Sequence, residues 1–510
     1  MKRILFLLMV PFLVPVNTVI AQDGNSQISY SNLALQFSTQ NFNGDAATGL
    51  FPSVASANGY GSFIDNPASI ALIKDNYFNF SMVNNQVEYE NNYLNRTLTT
   101  EDQSTKLGNI GFVYKIPTEQ GSFVLGGGFN RVTFQNGISR FNARNSESTI
   151  TDAFKDPNSD YYDIAYNAYA IDWGDVDSTY LESIFRIGFE EYPGITQEAK
   201  VSYQTDIGEY SFFFGTEFQK NFFIGISGGL TAGNYTYRRD FLELDDQGDY
   251  DYNFIPSTET EDGTDIDNIL THDEIDAEII GFSLRSGLIY KFSPNFNIGL
   301  SYLLPSTIIV RENYYSSIKT ELDDGSVPYE SDFASGEAFE YRIKKPGQLN
   351  LGLAAIGIGN FEITLSGELI DYSNLRMDFI TGANVDFDEE VVLREQQQEL
   401  DDFMINNYNT VINGKAGLAY NFTGQFKIKA GYAYLPGKSK NYEVPRNIIS
   451  GGFSAHITEN ILVDVNGQYS FWDDRSVIYK YYDESNVNRA EVVDQQASSL
   501  KILAGIRFLF

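Results

Sequence analysis

Few residues in this chain could carry chemistry. It has two histidines, His272 inside an acidic run and His456 in an alternating apolar stretch, and no cysteine. Neither histidine has a second metal ligand at a recognisable spacing, and a hydrolase would need a Ser or Asp partner for one of them. His456 falls between Ala455 and Ile457 on the face opposite to them and to Phe453, which points it at a polar interior. No glycine-rich phosphate cradle and no Cys/His cluster is present. The acids crowd together instead, with fifteen Asp or Glu from Asp240 to Glu278, including Asp245, Asp246, Asp249, Asp251, Asp262, Asp265 and Asp267. Their spacing is not that of a twelve-residue calcium loop, so a hydrated acidic loop is the expected reading. The chain is expected to be no enzyme and to carry no cofactor or metal site.

Composition narrows the class further. The net charge is −33, or −35 without residues 1–21, which hold two basic and no acidic residues. Such a balance excludes nucleic acid as a partner. Lys2 and Arg3 precede an apolar run from Ile4 to Val16, then Val19-Ile20-Ala21, which reads as a secretory signal peptide over 1–21. The run is shorter than the roughly 20 apolar residues of a spanning helix and is broken by Pro11 and Pro15, and nothing later reaches that length. An exported chain of this kind enters a membrane, if it does, with strands. Its 39 Phe, 34 Tyr and 43 Gly suit strands, aromatic girdles and tight packing.

The elements that would position these residues are fourteen amphipathic strands, approximately 77–90, 105–117, 121–136, 200–219, 221–239, 277–293, 296–304, 338–357, 360–380, 409–422, 425–434, 445–457, 461–480 and 492–510. Their links alternate between a few residues (near Pro117, Asn221, Ser293, Gly357, Phe422 and Thr458) and long excursions at 91–104, 137–199, 240–276, 313–337, 381–408, 437–444 and 481–491. Lipid offers no partner to an unpaired backbone group, so a membrane sheet must close, and antiparallel closure produces this rhythm. The expected fold is all-β, a 14-stranded antiparallel transmembrane barrel of the outer-membrane type. Phe296, Ile298, Leu300, Tyr302 and Leu304 should meet lipid, as should Phe426, Ile428, Ala430, Tyr432 and Tyr434, while Lys427 and Lys429 face the lumen. The last strand, with Leu500, Ile502, Ile506, Phe508 and Phe510 on one face, resembles the C-terminal signal of such barrels. Many strands exceed the ~10 residues a crossing needs, so a rim should rise above the membrane.

Residues 22–76 break the rhythm. Small residues and turn formers dominate, and Pro67 can start a short helix behind an Asn66 cap. A segment of this length before the first strand is expected to fill the bore as a hatch, because a barrel of this size otherwise leaves an open lumen. Asn66-Pro67-Ala68 followed by Ile70 and Leu72, Gly287-Leu288-Ile289-Tyr290-Lys291 continuing to Leu304-Pro305-Ser306, Asp371-Tyr372-Ser373 and Ala430-Gly431-Tyr432 together make the chain resemble the FadL/TodX family of outer-membrane transport proteins. The resemblance spans nearly the whole chain after residue 21. It departs from the family at Ser69, where the signature usually continues with Gly, at Phe51-Pro52, and in its large acidic loops.

The resemblance implies passive uptake of a hydrophobic compound, with long-chain fatty acids the default class, through a lumen pocket beside the hatch and out through a lateral gap in the wall. Gly126, Gly127 and Gly128 in the third strand are the expected gap, the alternative being clearance for the hatch; Gly228-Gly229 is read as structural. Asn66, Pro67 and Ala68 are expected to be structural. Phe51, Phe63 and Ile64 are candidate pocket residues, and Glu362, Glu368, Lys415, Lys427, Lys429 and Arg507 either hold the hatch by ion pairs or bind a carboxylate. Expected partners are outer-membrane lipid and lipopolysaccharide and a hydrophobic small molecule, for a monomer with both termini periplasmic. The rival expectation is a docking subunit of secretion or surface-attachment machinery, with the extracellular loops as protein contacts; a general porin is disfavoured by the hatch.

Overall fold

Strict alternation decides the architecture. In the computed structural model, which describes residues 30–40, 42–157, 159, 161–174, 177–250, 266–322, 329–334, 338–380, 387–440, 445–483 and 485–510, the apolar side chains of that alternation point outward and stay exposed. The signal peptide expected over 1–21 and the acids of 251–265 lie outside the described residues. The strands are β1 (Tyr77–Tyr93), β2 (Arg96–Ile116), β3 (Phe123–Asn145), β4 (Ile195–Gln219), β5 (Phe222–Leu244), β6 (Ile266–Lys291), β7 (Phe296–Leu303 and Ser306–Leu322), β8 (Phe339–Lys345 and Gln348–Ile358), β9 (Phe361–Asp371 and Arg376–Phe379), β10 (Thr410–Thr423), β11 (Phe426–Leu435), β12 (Arg446–Thr458), β13 (Ile461–Tyr482) and β14 (Asn488–Leu509). Each pairs antiparallel with the next, and β14 returns to β1 from Tyr77↔Leu509 to Asn92↔Asp494, closing a 14-stranded barrel. No described helix is long and apolar enough to cross a membrane. The outward band of β7 (Phe296, Ile298, Leu300, Tyr302) alternates with buried Asn297 and Ser301, as expected.

Prolines cut the ladder at one level. Pro305 interrupts β7 and Pro346 interrupts β8, because proline brings no N–H to the ladder. The two breaks face each other, since Leu303 pairs with Gln348 and Ser306 with Lys345. In β9 the interruption is a 3₁₀ turn at Tyr372–Asn374, capped by Asp371, which accepts from the Ser373 N–H and hydroxyl and from Thr410. The fragments Leu304-Pro305-Ser306 and Asp371-Tyr372-Ser373, far apart in sequence, thus mark one seam.

Above the seam the strands rise as a rim, and here the expected boundaries shift. Residues 91–104, expected as a loop, are strand on both sides of a tight turn at Leu94 and Asn95, both at positive φ. Strands likewise extend into 137–145, 240–244, 266–276 and 313–322, so His272 sits in β6 rather than in a loop, beside Asp240 at 2.7 Å. Polar strand residues are uninformative in sequence because the rim meets water on its outer face. The described residues between β3 and β4 form a packed cap. With the helix Tyr162–Asn167 and the hairpin Ile171–Trp173/Leu181–Ser183, it buries Phe154, Ile164, Ile171 and Phe185 against Tyr93, Phe141, Phe241, Ile269, Ile318 and Tyr479 of the rim. Within 381–408 lies the 21-residue helix Phe387–Asn407.

Candidate functional site

The N-terminal segment lies inside this ring. Its described part begins with helix α1 (Tyr30–Ser38), which buries Leu33, Ala34, Leu35 and Phe37 against the inner faces of β5 to β9 and reaches Met404 of the helix Phe387–Asn407. Tyr30 donates to Glu312 at 3.0 Å and packs edge-on against Tyr341. The first described residue therefore stands at the long-loop end, whereas Asn76 and Phe510 are hydrogen-bonded together at the short-turn end.

Asn66 shows how tightly the segment meets the wall. It is fully buried and accepts from the Ala68 N–H at 2.9 Å while donating to the carbonyls of Val54 at 2.6 Å and Leu288 at 3.2 Å. Pro67 starts the 3₁₀ helix Pro67–Leu72, so Asn66, Pro67 and Ala68 have the structural placement their types suggest. Gly287 of β6 is needed there because any Cβ would overlap the Asn66 amide. The lumen charges serve the same contact. Lys415 faces Asp65 at 3.7 Å, Lys429 donates to the Ala47 carbonyl at 2.6 Å, and Lys427 pairs with Glu362 at 2.6 Å and reaches Asn58. Arg507 pairs with Asp464 at 2.8 Å, and Glu368 accepts from Asn413.

Beside the segment is a cavity of about 540 Å³, bounded by Leu33, Leu35, Gln40, Phe42 and Ile64 on one side and by Tyr89, Phe141, Tyr203, Tyr235 and Trp472 on the other. Its polar wall includes Lys438, Arg446 and Arg475, and the Arg446 guanidinium stacks 3.8 Å from the Trp472 ring centroid. Of the three candidate pocket residues, Ile64 lines it and the other two do not. Phe63 is fully buried, stacked 4.5 Å from Phe213 and edge-on to Tyr60, and Phe51 packs where Gly417 leaves room. Tyr89, Tyr203 and Trp472 lie on strands the sequence does place, 77–90, 200–219 and 461–480, but their convergence on one space depends on barrel closure, which is why sequence reasoning missed them.

The wall beside the cavity is incomplete. The β2–β3 ladder runs from Ile116↔Phe123 only to Asn109↔Asn130, although both strands continue upward. Beyond Asn130, β3 bulges between Arg131 and Thr133. The N-terminal segment takes the vacant partner's place, with the Phe42 N–H donating to Val132 O at 3.2 Å and the Gly44 N–H to Arg131 O at 3.0 Å. Arg131 reaches across to Leu107 O at 2.7 Å and pairs with Asp206. The expected gap at Gly126, Gly127 and Gly128 is displaced, since these three pair with Val113, Phe112 and Gly111 and the unpaired stretch begins just after Asn130. Gly126 gives room to Phe213. Gly128, at φ +148°, is close to Tyr60, whose hydroxyl would lie 3.0 Å from a Cβ there.

Ladder closure, an outward apolar band and a polar, occupied interior together decide the class. The chain is an outer-membrane β-barrel. It is similar in structure to the Pseudomonas putida toluene transporter TodX (13% identity, TM-score 0.49), covering 91% of this chain and 98% of TodX. A Pseudomonas aeruginosa FadL homologue gives 12% identity and a TM-score of 0.48 over 91% of this chain and 98% of its own. The Ralstonia pickettii toluene transporter TbuX gives 12% and 0.46 over 92% and 100%. No protein-family profile matches the sequence, and no curated protein matches it either.

Proposed function

We propose that this barrel is a FadL/TodX-type channel that passively admits a hydrophobic compound across the outer membrane. One observation carries the reading: a cavity lined by aromatic, aliphatic and charged side chains lies beside the 42–44 segment, which fills an unpaired stretch of wall. The segment is held there by two backbone hydrogen bonds, the Asn130–Asn43 side-chain contact and burial of Phe42 against Val83, Phe134 and Leu503, so passage requires its displacement from a packed position. Cargo leaving by this route enters hydrocarbon directly. The cargo class follows from the lining: Tyr, Phe and Leu side chains for a tail or ring, and Arg446 and Lys438 for a carboxylate, which favours long-chain fatty acids over the toluene of the TodX and TbuX names. The cavity beside an unpaired stretch of wall supports transport, whereas the filling of the bore by the N-terminal segment and its charged lining at Asp65, Lys415, Asp473 and Asp474 are what the docking reading would use.

On this reading the short turns and Phe510 face the periplasm, the rim and cap face outward, and outer-membrane lipid surrounds a monomer. Binding is tested through Trp472, one of two tryptophans, in a Trp173→Phe background. Titration of the purified barrel with hexadecanoate should change Trp472 emission saturably, and toluene should do so less. A folded barrel whose emission ignores both contradicts the proposal.

A further inference from the structure

Two cations inside the lumen lack an acid. Lys501 points inward, since its neighbours Leu500 and Ile502 are exposed on the outer face of β14. Arg446, at the start of β12, turns into the cavity and lies over the Trp472 ring. Other lumen cations are paired, Lys427 with Glu362, Arg507 with Asp464 and Arg131 with Asp206. Among the described residues, Arg446 and Lys501 have neither a carboxylate within 4.0 Å nor a side-chain hydrogen bond, and the charge that acts on Lys501 is that of Arg446. A chain with 68 acidic and 35 basic residues has acids to spare for them. Two inward cations left facing one another are an arrangement that an anion from outside completes.

A third donor stands beside them. The Tyr89 and Tyr203 hydroxyls are 2.6 Å apart, and because one hydrogen serves that bond, the other is left to donate elsewhere. Both hydroxyls are within the electrostatic reach of Arg446, and Tyr89 stands edge-on to Trp472 at 6.3 Å. Asp474, exposed on β13, also acts on these hydroxyls but pairs with neither cation. On its other side Lys501 meets the N-terminal segment, with its Nζ 5.1 Å from the centroid of the Phe42 ring. Phe42 borders the cavity, packs with Val83, Phe134 and Leu503, and donates its N–H to Val132 O in the unpaired stretch of wall. One ammonium therefore serves both the cation pair and the segment that closes the wall.

We propose that Arg446 and Lys501 form an anion site for the acidic head of an amphiphilic cargo, and that an anion bound there draws Lys501 off the Phe42 ring, so that the 42–44 segment loosens when the cavity holds an acid. The inference rests on the channel reading above and adds a residue-level link between head recognition and exit. A charge-assisted hydrogen bond from an ammonium to a carboxylate outweighs the attraction of the same ammonium to a phenyl face. The head shifts the segment toward release by its differential affinity for the two positions of Lys501. A neutral molecule with the same tail fills the cavity and leaves Lys501 over Phe42.

The absence of cysteine lets one thiol report on the segment. The full barrel carrying Asn43→Cys, in lipid nanodiscs, is labelled with a maleimide at saturating hexadecanoate or saturating 1-hexadecanol. Displacement of cis-parinarate gives the affinity of each ligand in parallel. Hexadecanoate should speed labelling several-fold over hexadecanol. Lys501→Met should erase that difference and weaken hexadecanoate roughly tenfold with hexadecanol unchanged, and Lys501→Arg should restore both. Arg446→Met should likewise weaken hexadecanoate alone, and hexadecanol affinity at the wild-type value shows that each variant keeps its cavity. Equal labelling with the two ligands in the Lys501 barrel, or a difference that survives Lys501→Met, overturns the link while saturable binding of both ligands keeps the channel. Undiminished hexadecanoate affinity in Arg446→Met and Lys501→Met overturns the anion site. Displacement by neither ligand overturns the channel reading and this inference with it.

Discussion

Tyr60 and Glu243 show what single side chains hold in this molecule. The Tyr60 hydroxyl is fully buried without a hydrogen-bond partner at the thin point of the wall. Tyr60→Phe removes an unsatisfied group at constant shape and should be neutral or raise stability by about 1 kcal/mol, read as a higher midpoint of denaturant unfolding; a loss of that size would mean that the hydroxyl has a partner. Glu243, in the rim above the apolar band, accepts from Thr149, the Ile150 N–H and Gln197 and anchors the cap, with Asp152 and Glu491 nearby and Arg186 paired to Asp152. Burial pushes its carboxyl up from 4.5 to about 7. The folded state therefore binds the proton more tightly than the unfolded one. Its contribution is fully present below pH 4.5, declines as pH rises through about 7, and is flat above. Proteolysis of the cap should accelerate over that window, and Glu243→Gln should abolish the dependence; an unchanged pH profile in the variant would contradict it. Asn66, Pro67 and Ala68 were legible because capping is local chemistry. Tyr60 was not, since its importance comes from Gly111 and Gly128 on two strands that sequence does not bring together.

Among the elements, strand identity was readable and strand end was not. Alternation is enforced by lipid on one side and a polar lumen on the other, so β7, β11 and β14 emerged with their faces correct. Where a strand stops pairing is a property of its neighbour. The glycines 126–128 looked like a break but are paired, and the real break follows Asn130, where nothing in the local composition announces it. There Arg131 spans the opening to Leu107 of β2 and pairs with Asp206 of the adjoining β4. Arg131→Ala leaves the half-buried Asp206 with only Lys106 at 4.0 Å and should cost about 1–3 kcal/mol, visible as a lowered thermal midpoint. An unshifted midpoint would show that Arg131 is not bracing the opening. The rim was expected from strand length, but its full extent was missed for a related reason: above the seam at Pro305 and Pro346 both faces of a strand are polar or variably covered, and 91–104 carries too little alternation to be told from a loop.

The whole molecule combines a tall rim, a cap across it, an N-terminal segment running from the long-loop end to the short-turn end, and one stretch of wall closed by that segment in place of a strand. Fold class was legible because closure and link alternation are global consequences of solvation. The cavity was not, because its lining comes together only where α1 and the inner faces of strands distant in sequence meet. The direct test of the central claim is lateral transfer in a barrel that can be locked. The chain has no cysteine, and the Asn43 and Asn130 side chains meet at 3.4 Å, so Asn43→Cys with Asn130→Cys places two thiols that a short bis-methanethiosulfonate linker can bridge, tying the 42–44 segment to β3 by bonds that reductant removes. Transfer of labelled hexadecanoate from the rim side into lipid should stop in the bridged protein and return on reduction. Equal transfer before and after reduction would contradict passage through the unpaired stretch.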